Sequence, residues 1–516
     1  MSKENRKMNP KRIALVVGIT VILLIVVSIF YPKDGIRIAG KDFYFLRFEN
    51  VINSAKETKI DPDQLVEQRL DSVQRKFNLL DSLSTEAATV IALESANSDS
   101  TRMVFPNDDR NSLDLFFEAL YRIKDTKEQV RIIHYGDSQI EEDRMSSYLR
   151  RELQARFGGG GLGMVSSRPI SGTISASHAY SNNWKRYTAF SLTGEPLASK
   201  RYGSMGITCK YQGNVSSKEF PKFEVDTTKP EEAPVVEDFV LMDKNKGYLT
   251  LKPIDKKNPN LYQFDRVRVF MGDVQENIQL SVVTNTESYQ ENIVAGLDYK
   301  GFNFDFKNVP SSVAITFSGG VSPEIYGISL ESSSGVVVDN VAMRGSDGSV
   351  FVKFQQAIAK AMFTDLDPKL IILQFGGNVM PGLSGEKSAK YYGKQLTNSI
   401  QLIRRYCPNA SFLFVGPADM AKMVNGQLQT YPLMETLIKE LKNICVTNNV
   451  AFFDMYHAMG GKNSMIAWAK KGWAATDYIH FNRKGAEKMA EIMHQYLMLE
   501  YELFLLRTGK DRKKDA

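Results

Sequence analysis

Cysteine is scarce in this 516-residue chain, and no sign of charge dominates it. Three cysteines, Cys209, Cys407 and Cys445, allow at most one bridge, so a disulfide framework is excluded and the thiols read as core residues. No CxxC or Cys/His spacing suggests a zinc site, and no metal is expected. Net charge is +6 with a pI near 8.8, and away from the two ends the bases are mixed with acids, which argues against nucleic acid as a partner. Histidine is also sparse, with five in all, so each can be weighed singly. What is plentiful is apolar side chain: 43% of residues are hydrophobic, enough for one large domain or for two with extra elements.

Residues Ile13 to Tyr31 form an uncharged apolar run. At ~1.5 Å per residue such a run is roughly 28 Å long, close to the thickness of a bilayer core. Lys3, Arg6, Lys7, Lys11 and Arg12 precede it against one acid, Glu4, which puts residues 1–12 in the cytoplasm and the rest across the membrane. A cleaved signal peptide is the other reading, but Ser28-Ile29-Phe30 is a poor small-x-small site, so an uncleaved anchor over 13–31 is expected.

Residues 32–110 read as a helical stalk or linker, with helical spacing of Leu65, Leu70, Val73, Phe77 and Leu80 and a polar loop over 92–111. Ser112 is placed to cap a helix whose apolar face is Leu113, Phe116, Phe117 and Leu120. Val130 to Tyr135 is a short apolar strand that ends in Gly136-Asp137-Ser138, and a helix with Met145, Leu149 and Leu153 follows and stops at Gly158. Between 200 and 330 the period changes to two, as in Ile278, Leu280, Val282 and Val313, Ile315, Phe317, which predicts an antiparallel sandwich. Strands then alternate with helices again: Val336 to Val341, Leu370 to Phe375, Phe412 to Val415 and Val450 to Phe453 each lead into a turn, and helices cover Lys387–Arg405 and Met434–Val446. That alternation implies a parallel three-layer α/β sheet. The expected order is an α/β domain over 111–199 and 331–506, a β-sandwich inserted over 200–330, and a charged tail over 507–516.

Chemistry enters at the strand ends. A serine hydroxyl is a poor nucleophile at neutral pH; it needs a histidine to take its proton and a carboxylate to hold that histidine's tautomer. Ser138 sits in a strand-to-helix turn, and Asp477-Tyr478-Ile479-His480 precedes the last helix, so Asp477 and His480 can pair within one loop. Gly376-Gly377-Asn378 and Met343-Arg344-Gly345-Ser346 follow two further strands.

These four blocks, in this order, resemble those of the SGNH hydrolases, the serine esterases also called GDSL-like: Gly-Asp-Ser at 136–138, a glycine at Gly345, Gly-x-Asn at 376–378, and Asp-x-x-His at 477–480. The resemblance covers about 112–170 and 334–500. It implies a flavodoxin-like parallel sheet, catalysis by Ser138, His480 and Asp477, and an oxyanion hole from the Ser138 and Gly345 N–H groups and the Asn378 amide, with no cofactor. The chain departs from the family at Met343, where an asparagine is common, at Gly377, where a bulkier polar residue is usual, and at Val379, where an acid often stands. The context His134-Tyr135-Gly136-Asp137-Ser138-Gln139, the glycine run 158–163 and the β-rich insertion resemble peptidoglycan O-acetylesterases, whose insert is carbohydrate-binding-like.

Bland readings stand beside these. His134 is placed to pack or hydrogen-bond at the strand end, His178, His457 and His494 have no partner spacing, and Asp137 shapes the turn. Asp454 ends a strand but is not local to His480. The glycine run is either a hinge or a place where a glycan approaches the backbone. Tyr262, Phe264, Tyr289 and Phe302 read as sandwich core rather than sugar platforms. The expectation is a single-pass protein of the bacterial inner membrane, its catalytic domain periplasmic, that removes O-acetyl groups from an envelope polysaccharide, peptidoglycan first. The rival is transfer of that acetyl to a sugar hydroxyl, with a membrane-bound O-acyltransferase as partner. A glycan-binding scaffold with a degenerate site is the non-enzymatic alternative, and intact Ser138, Asp477, His480 and Asn378 argue against it.

Overall fold

The computed structural model describes residues 10–31, 36–38, 41–43, 61–82, 103–190, 194–212 and 245–512. Most of the expected tail 1–12, much of the stalk and the last residues of the charged tail lie outside them.

Five parallel strands form the centre: Gln129–Gly136, Gly335–Ala342, Leu370–Gln374, Ser411–Val415 and Ala451–Phe453. In chain order their arrangement across the sheet is 2-1-3-4-5, the flavodoxin-like winding. Helices cover both faces, so these strands read as unbroken apolar runs rather than alternating ones; every residue of Leu370–Gln374 and Ser411–Val415 is buried. The first strand lies between the second and the third, so the winding reverses beside it. The crevice at the carboxyl ends opens at that point, where Ser138 emerges. Val104 covers the outer edge by exchanging backbone hydrogen bonds of 2.8 Å in both directions with Phe452.

The expected antiparallel sandwich is present as two sheets of five and six strands. Its membership corrects the boundary at 200. Gly163–Val165, Ala176–Tyr180 and Trp184–Thr188 already pair into these sheets, so the insertion begins near 163. Trp184 stands between the layers, edge-on to Phe317 at 5.7 Å and to Tyr211 at 5.8 Å. Phe264 and Phe302 are buried, and Tyr262 and Tyr289 pack half-buried against the same core, as expected.

Three glycines of the run serve close packing rather than a hinge. A Cβ on Gly159, Gly160 or Gly161 would lie within 2.4 Å of the backbone of Val336, Gln263 or Leu330, so the run is pressed into the junction of the two domains. Beside it Arg131, fully buried, donates to both carboxylate oxygens of Asp339 at 2.8 and 2.9 Å and pairs with Glu331 of the sandwich.

Helices follow the sequence closely at Ser146–Phe157, Glu386–Tyr406 and Met434–Thr447. One cap does not. The helix Asp114–Thr126 is entered through a 3-10 turn whose cap is Asp109, accepting from the Asn111 N–H, while the Ser112 hydroxyl is buried without a partner. Part of the expected stalk docks on the catalytic domain. Helix Pro62–Ser82 lies along the C-terminal helix Arg483–Arg507 and buries Val66, Val73 and Leu80 at seven-residue spacing; Arg512 donates to the Leu80 carbonyl at 2.8 Å. The expected membrane run lies on helix Pro10–Phe30, where side chains are described from residue 14 on and are exposed along most of its length. Among the described residues no helix is long and apolar enough to cross a membrane. The three cysteines are free and buried.

Candidate active site

Two segments meet at the crevice. The first is the turn after Gln129–Gly136. Asp137 Oδ1 accepts from the Gln139 N–H at 3.0 Å, an Asx turn that ends the strand and raises Ser138 above the sheet. The second is the loop before the C-terminal helix, closed by Ala475 N–H donating to the His480 carbonyl at 2.8 Å. Tyr478 takes a left-handed φ of 57° in that loop. Asp477 Oδ1 accepts the N–H groups of Ile479 and His480 at 2.9 and 3.1 Å, which leaves Oδ2 free to face the ring.

The three expected catalytic side chains come together in line. Ser138 Oγ lies 2.8 Å from His480 Nε2, and His480 Nδ1 lies 2.7 Å from Asp477 Oδ2. Partial burial pushes the Asp477 carboxyl up, but the His480 ring and the two backbone N–H groups outweigh it and hold the acid below its usual range. An ionised Asp477 fixes the proton on Nδ1 and leaves Nε2 as the acceptor for the serine proton.

The expected oxyanion residues line the same cavity of about 250 Å³. Gly345 has φ +77°, a conformation in which any side chain would be strained. Asn378 Nδ2 donates to the Ser346 carbonyl at 2.9 Å and to Asp137 Oδ2 at 3.2 Å. Asp137 is thus more than a turn residue, since it also holds the amide. Burial raises its carboxyl to about 6, against the opposing pull of the Gln139 N–H and of His480. Pro381, Pro417, Met420 and Met455 give the wall its apolar part, beside the polar Gln139, Gln374 and Arg344. Two family departures have structural reasons. Met343 is a core side chain with no exposure, and Val379 packs against the core. The absence of a side chain at Gly377 widens the pocket toward Met420.

Sequence reading missed the residues that hold the two segments together. Gln139 Nε2 donates to the Ile479 carbonyl at 2.6 Å, and its Oε1 accepts from the Phe481 N–H at 3.2 Å. Arg144 donates to the carbonyls of Ser138 and Phe481, each at 2.6 Å. At the rim Arg344 forms an ion pair with Glu141.

The other histidines separate from the site. His134 is buried between Gln374 Oε1 at 3.0 Å and Ser146 Oγ at 2.9 Å, and burial lowers it to about 4, so it stays neutral and structural. His457, expected to lack a partner, has one: its Nδ1 lies 2.7 Å from Asp454 Oδ2, an Asp-x-x-His pair like the catalytic one. Lys442 shares that carboxylate, and His457 Nε2 faces Glu435 at 3.6 Å rather than a hydroxyl. His494 is buried with neither ring nitrogen partnered. Among the described residues no group of three or more His, Cys, Asp or Glu could hold a metal.

Residues 318–488 match the model of the GDSL-like Lipase/Acylhydrolase family. That third of the chain contains Gly345, Asn378, Asp477 and His480; Ser138 precedes it and is tied to the site by its hydrogen bond to His480. A solved peptidoglycan O-acetylesterase is similar in fold, at TM-score 0.55 and 19% identity, covering 76% of this chain and 96% of its own. Two further solved structures align with TM-scores of 0.27 and 0.23: the protein YXIM of Bacillus subtilis, at 12% identity over 68% of this chain and 98% of its own, and a family two carbohydrate esterase from Clostridium thermocellum, at 9% over 51% and 92%. No curated protein matches the chain in sequence.

Proposed function

We propose that this chain, a carboxylic ester hydrolase with a GDSL-like acylhydrolase domain, removes O-acetyl groups from a cell-envelope polysaccharide, peptidoglycan first. The observation that carries the reading is the relay from Ser138 Oγ through His480 to Asp477, at 2.8 and 2.7 Å. Ser138 attacks the acetyl carbonyl as its proton passes to His480 Nε2. The charge that develops on the carbonyl oxygen is met by the Ser138 and Gly345 N–H groups and the Asn378 amide. His480 returns the proton to the departing sugar oxygen, and water, deprotonated by the same histidine, releases acetate from Ser138. The Asn378 amide reaches the oxyanion by loosening its hold on Asp137. A cavity of about 250 Å³ whose wall includes Pro381, Pro417, Met420 and Met455 suits a small acyl group. The likeness to a peptidoglycan O-acetylesterase supports the choice of glycan.

The same proposal puts the enzyme outside the cytoplasm, held by the apolar sequence run Ile13 to Tyr31 with its basic flank inside. Retention of the full chain in membranes after alkaline carbonate extraction supports the anchor, and release into the supernatant rejects it. For the activity, acetate release is measured from an aryl acetate and from O-acetylated peptidoglycan, with Ser138→Ala alongside. Release from both that is lost in the variant is the expected result. Release from the aryl ester alone moves the substrate to another glycan or to acetyl transfer. No release from either rejects hydrolysis.

A further inference from the structure

Asp419 is a buried carboxylate that the proposed reaction does not use. It follows Pro417 and Ala418 and precedes Met420, three residues that line the catalytic cavity. Its Oδ1 accepts from the Thr430 hydroxyl at 2.8 Å, and its Oδ2 accepts from the Met465 N–H at 2.9 Å. These donors are uncharged, and burial pushes the acid up to about 6. A buried charge held by uncharged donors is costly, so its place here marks a demand on geometry rather than on stability.

What Asp419 holds is the base of a hairpin. Strands Ala421–Val424 and Gln427–Thr430 pair antiparallel, with Ala421 opposite Thr430, and form a two-stranded sheet of their own among the described residues. Asn425 and Gly426 at the turn have φ values of 50° and 75°, the left-handed pair of a tight hairpin. A two-stranded hairpin is marginal by itself, so its course depends on how its base is tied. The Tyr431 N–H donates to the Met420 carbonyl at 3.0 Å. The Thr430 N–H donates to Asn463 Oδ1 at 3.1 Å, and the Thr430 hydroxyl, besides donating to Asp419, accepts from the Asn463 N–H at 2.7 Å. Asn463 and Met465 lie at the start of helix Ser464–Lys470, so one carboxylate joins the hairpin to that helix.

The hairpin in turn touches the catalytic loop. The Ala421 N–H donates to the Tyr478 carbonyl at 3.0 Å. Tyr478 is the left-handed residue between Asp477 and His480, and a non-glycine residue keeps that conformation only where its surroundings hold it. Gln139 grips the same loop independently, at the Ile479 carbonyl and the Phe481 N–H. From these contacts we infer that Asp419 is a positioning residue for the general base. Through Thr430 it fixes hairpin 421–430, and through Ala421 the hairpin fixes the loop that aims His480 at Ser138. Asp419 acts through the hairpin and not on the reacting atoms. The inference rests on the reading of Ser138 and His480 as the working pair of an esterase, and it gives that pair a support separate from Gln139.

The test uses the full chain with Thr430→Val, which keeps the shape and removes the hydroxyl, with Thr430→Ser, which keeps the hydroxyl, and with Asp419→Asn. Two readouts are taken: steady-state turnover of an aryl acetate, and the rate at which a fluorophosphonate labels Ser138, which needs the base but no hydrolysis. The expected result is kcat and labelling lower by on the order of tenfold in Thr430→Val and Asp419→Asn, with KM within about twofold, and recovery in Thr430→Ser. Met423→Ser, on the exposed part of the hairpin, should leave kcat and KM as they are. Where Asp419→Asn does not fold, the two Thr430 variants decide. Three outcomes overturn the inference: unchanged kcat and labelling in Thr430→Val, a loss that Thr430→Ser does not restore, or a raised KM in Thr430→Val or Met423→Ser, which would make the hairpin a substrate contact. Labelling that depends on Thr430 in a chain that hydrolyses no ester rejects the esterase and keeps the positioning. Hydrolysis indifferent to Thr430 does the reverse, and a chain that neither hydrolyses nor labels rejects both.

Discussion

Gln139 brackets His480, donating to the carbonyl of the residue before it and accepting from the N–H of the residue after it. The side chain next to the nucleophile therefore fixes where the general base sits. A misplacement of about 1 Å can cost on the order of 10²-fold in rate. Gln139→Ala is expected to lower kcat by roughly 10- to 100-fold on an aryl acetate while KM changes by less than about twofold, because both polar atoms of Gln139 are engaged by the loop that carries His480. A purely structural role would instead show as a lower melting temperature with kcat intact.

Two Asp-x-x-His pairs with the same 2.7 Å contact allow an internal control. Asp477→Asn should lower kcat by about 10⁴-fold, since the amide no longer holds the tautomer in which Nε2 is bare. Asp454→Asn should leave aryl acetate turnover unchanged and reduce stability, because Asp454 is buried and shared by His457 and Lys442. Steady-state kinetics with denaturant melts on both variants check this, and a loss of turnover at Asp454 would reverse the assignment of the acid.

The parallel sheet was legible because its strands are buried on both faces, leaving short apolar runs that stop at Gly136, Gly376 and Gly416. The catalytic trio was legible because Asp477 and His480 pair locally and Ser138 ends a strand. The start of the sandwich was not. Ala176–Tyr180 buries only Ala176, Trp184–Thr188 buries only its two ends, neither alternates, and Gly163–Val165 is three residues long. Gln139 and Arg144 were hidden for another reason: the partners that tie them to the His480 loop, the Ile479 and Phe481 carbonyls, lie more than 300 residues away, and no local spacing encodes such contacts. The Asp454–His457 pair, by contrast, has the catalytic spacing and could have been read from it.

Asp137 makes stability depend on pH in a direction opposite to the buried histidines. Its carboxyl is raised from 3.8 to about 6, so between those values the folded state holds the proton more often than the unfolded state, and stability falls as pH rises. A shift of this size is worth on the order of 2–3 kcal/mol. His134, lowered to about 4, contributes stability that is present at neutral pH and lost as pH falls toward 4. Comparing Asp137→Asn with the unmutated chain isolates the acid. The stability difference should shift in favour of the variant as pH rises from about 4 to 7, then level off. Urea melts across that range measure it, and a pH-independent difference would mean that Asp137 is already ionised at pH 4.

The junction between sandwich and sheet is held by charges that are costly to separate. Arg131 is fully buried between Asp339 on the parallel sheet and Glu331 on the sandwich, and Asp339 Oδ1 also accepts the Met164 N–H at 2.8 Å. Replacing Arg131 by methionine keeps most of the volume but leaves buried Asp339 without its cation and Glu331 with Arg268 alone, at 4.0 Å. Breaking such a pair typically costs about 3–5 kcal/mol, whereas replacing every partner with apolar groups is often neutral. Arg131→Met should therefore destabilise the chain strongly, and adding Glu331→Gln and Asp339→Asn should recover a large part of the loss. If stability drops and the triple variant recovers nothing, packing rather than charge pairing holds the two domains together.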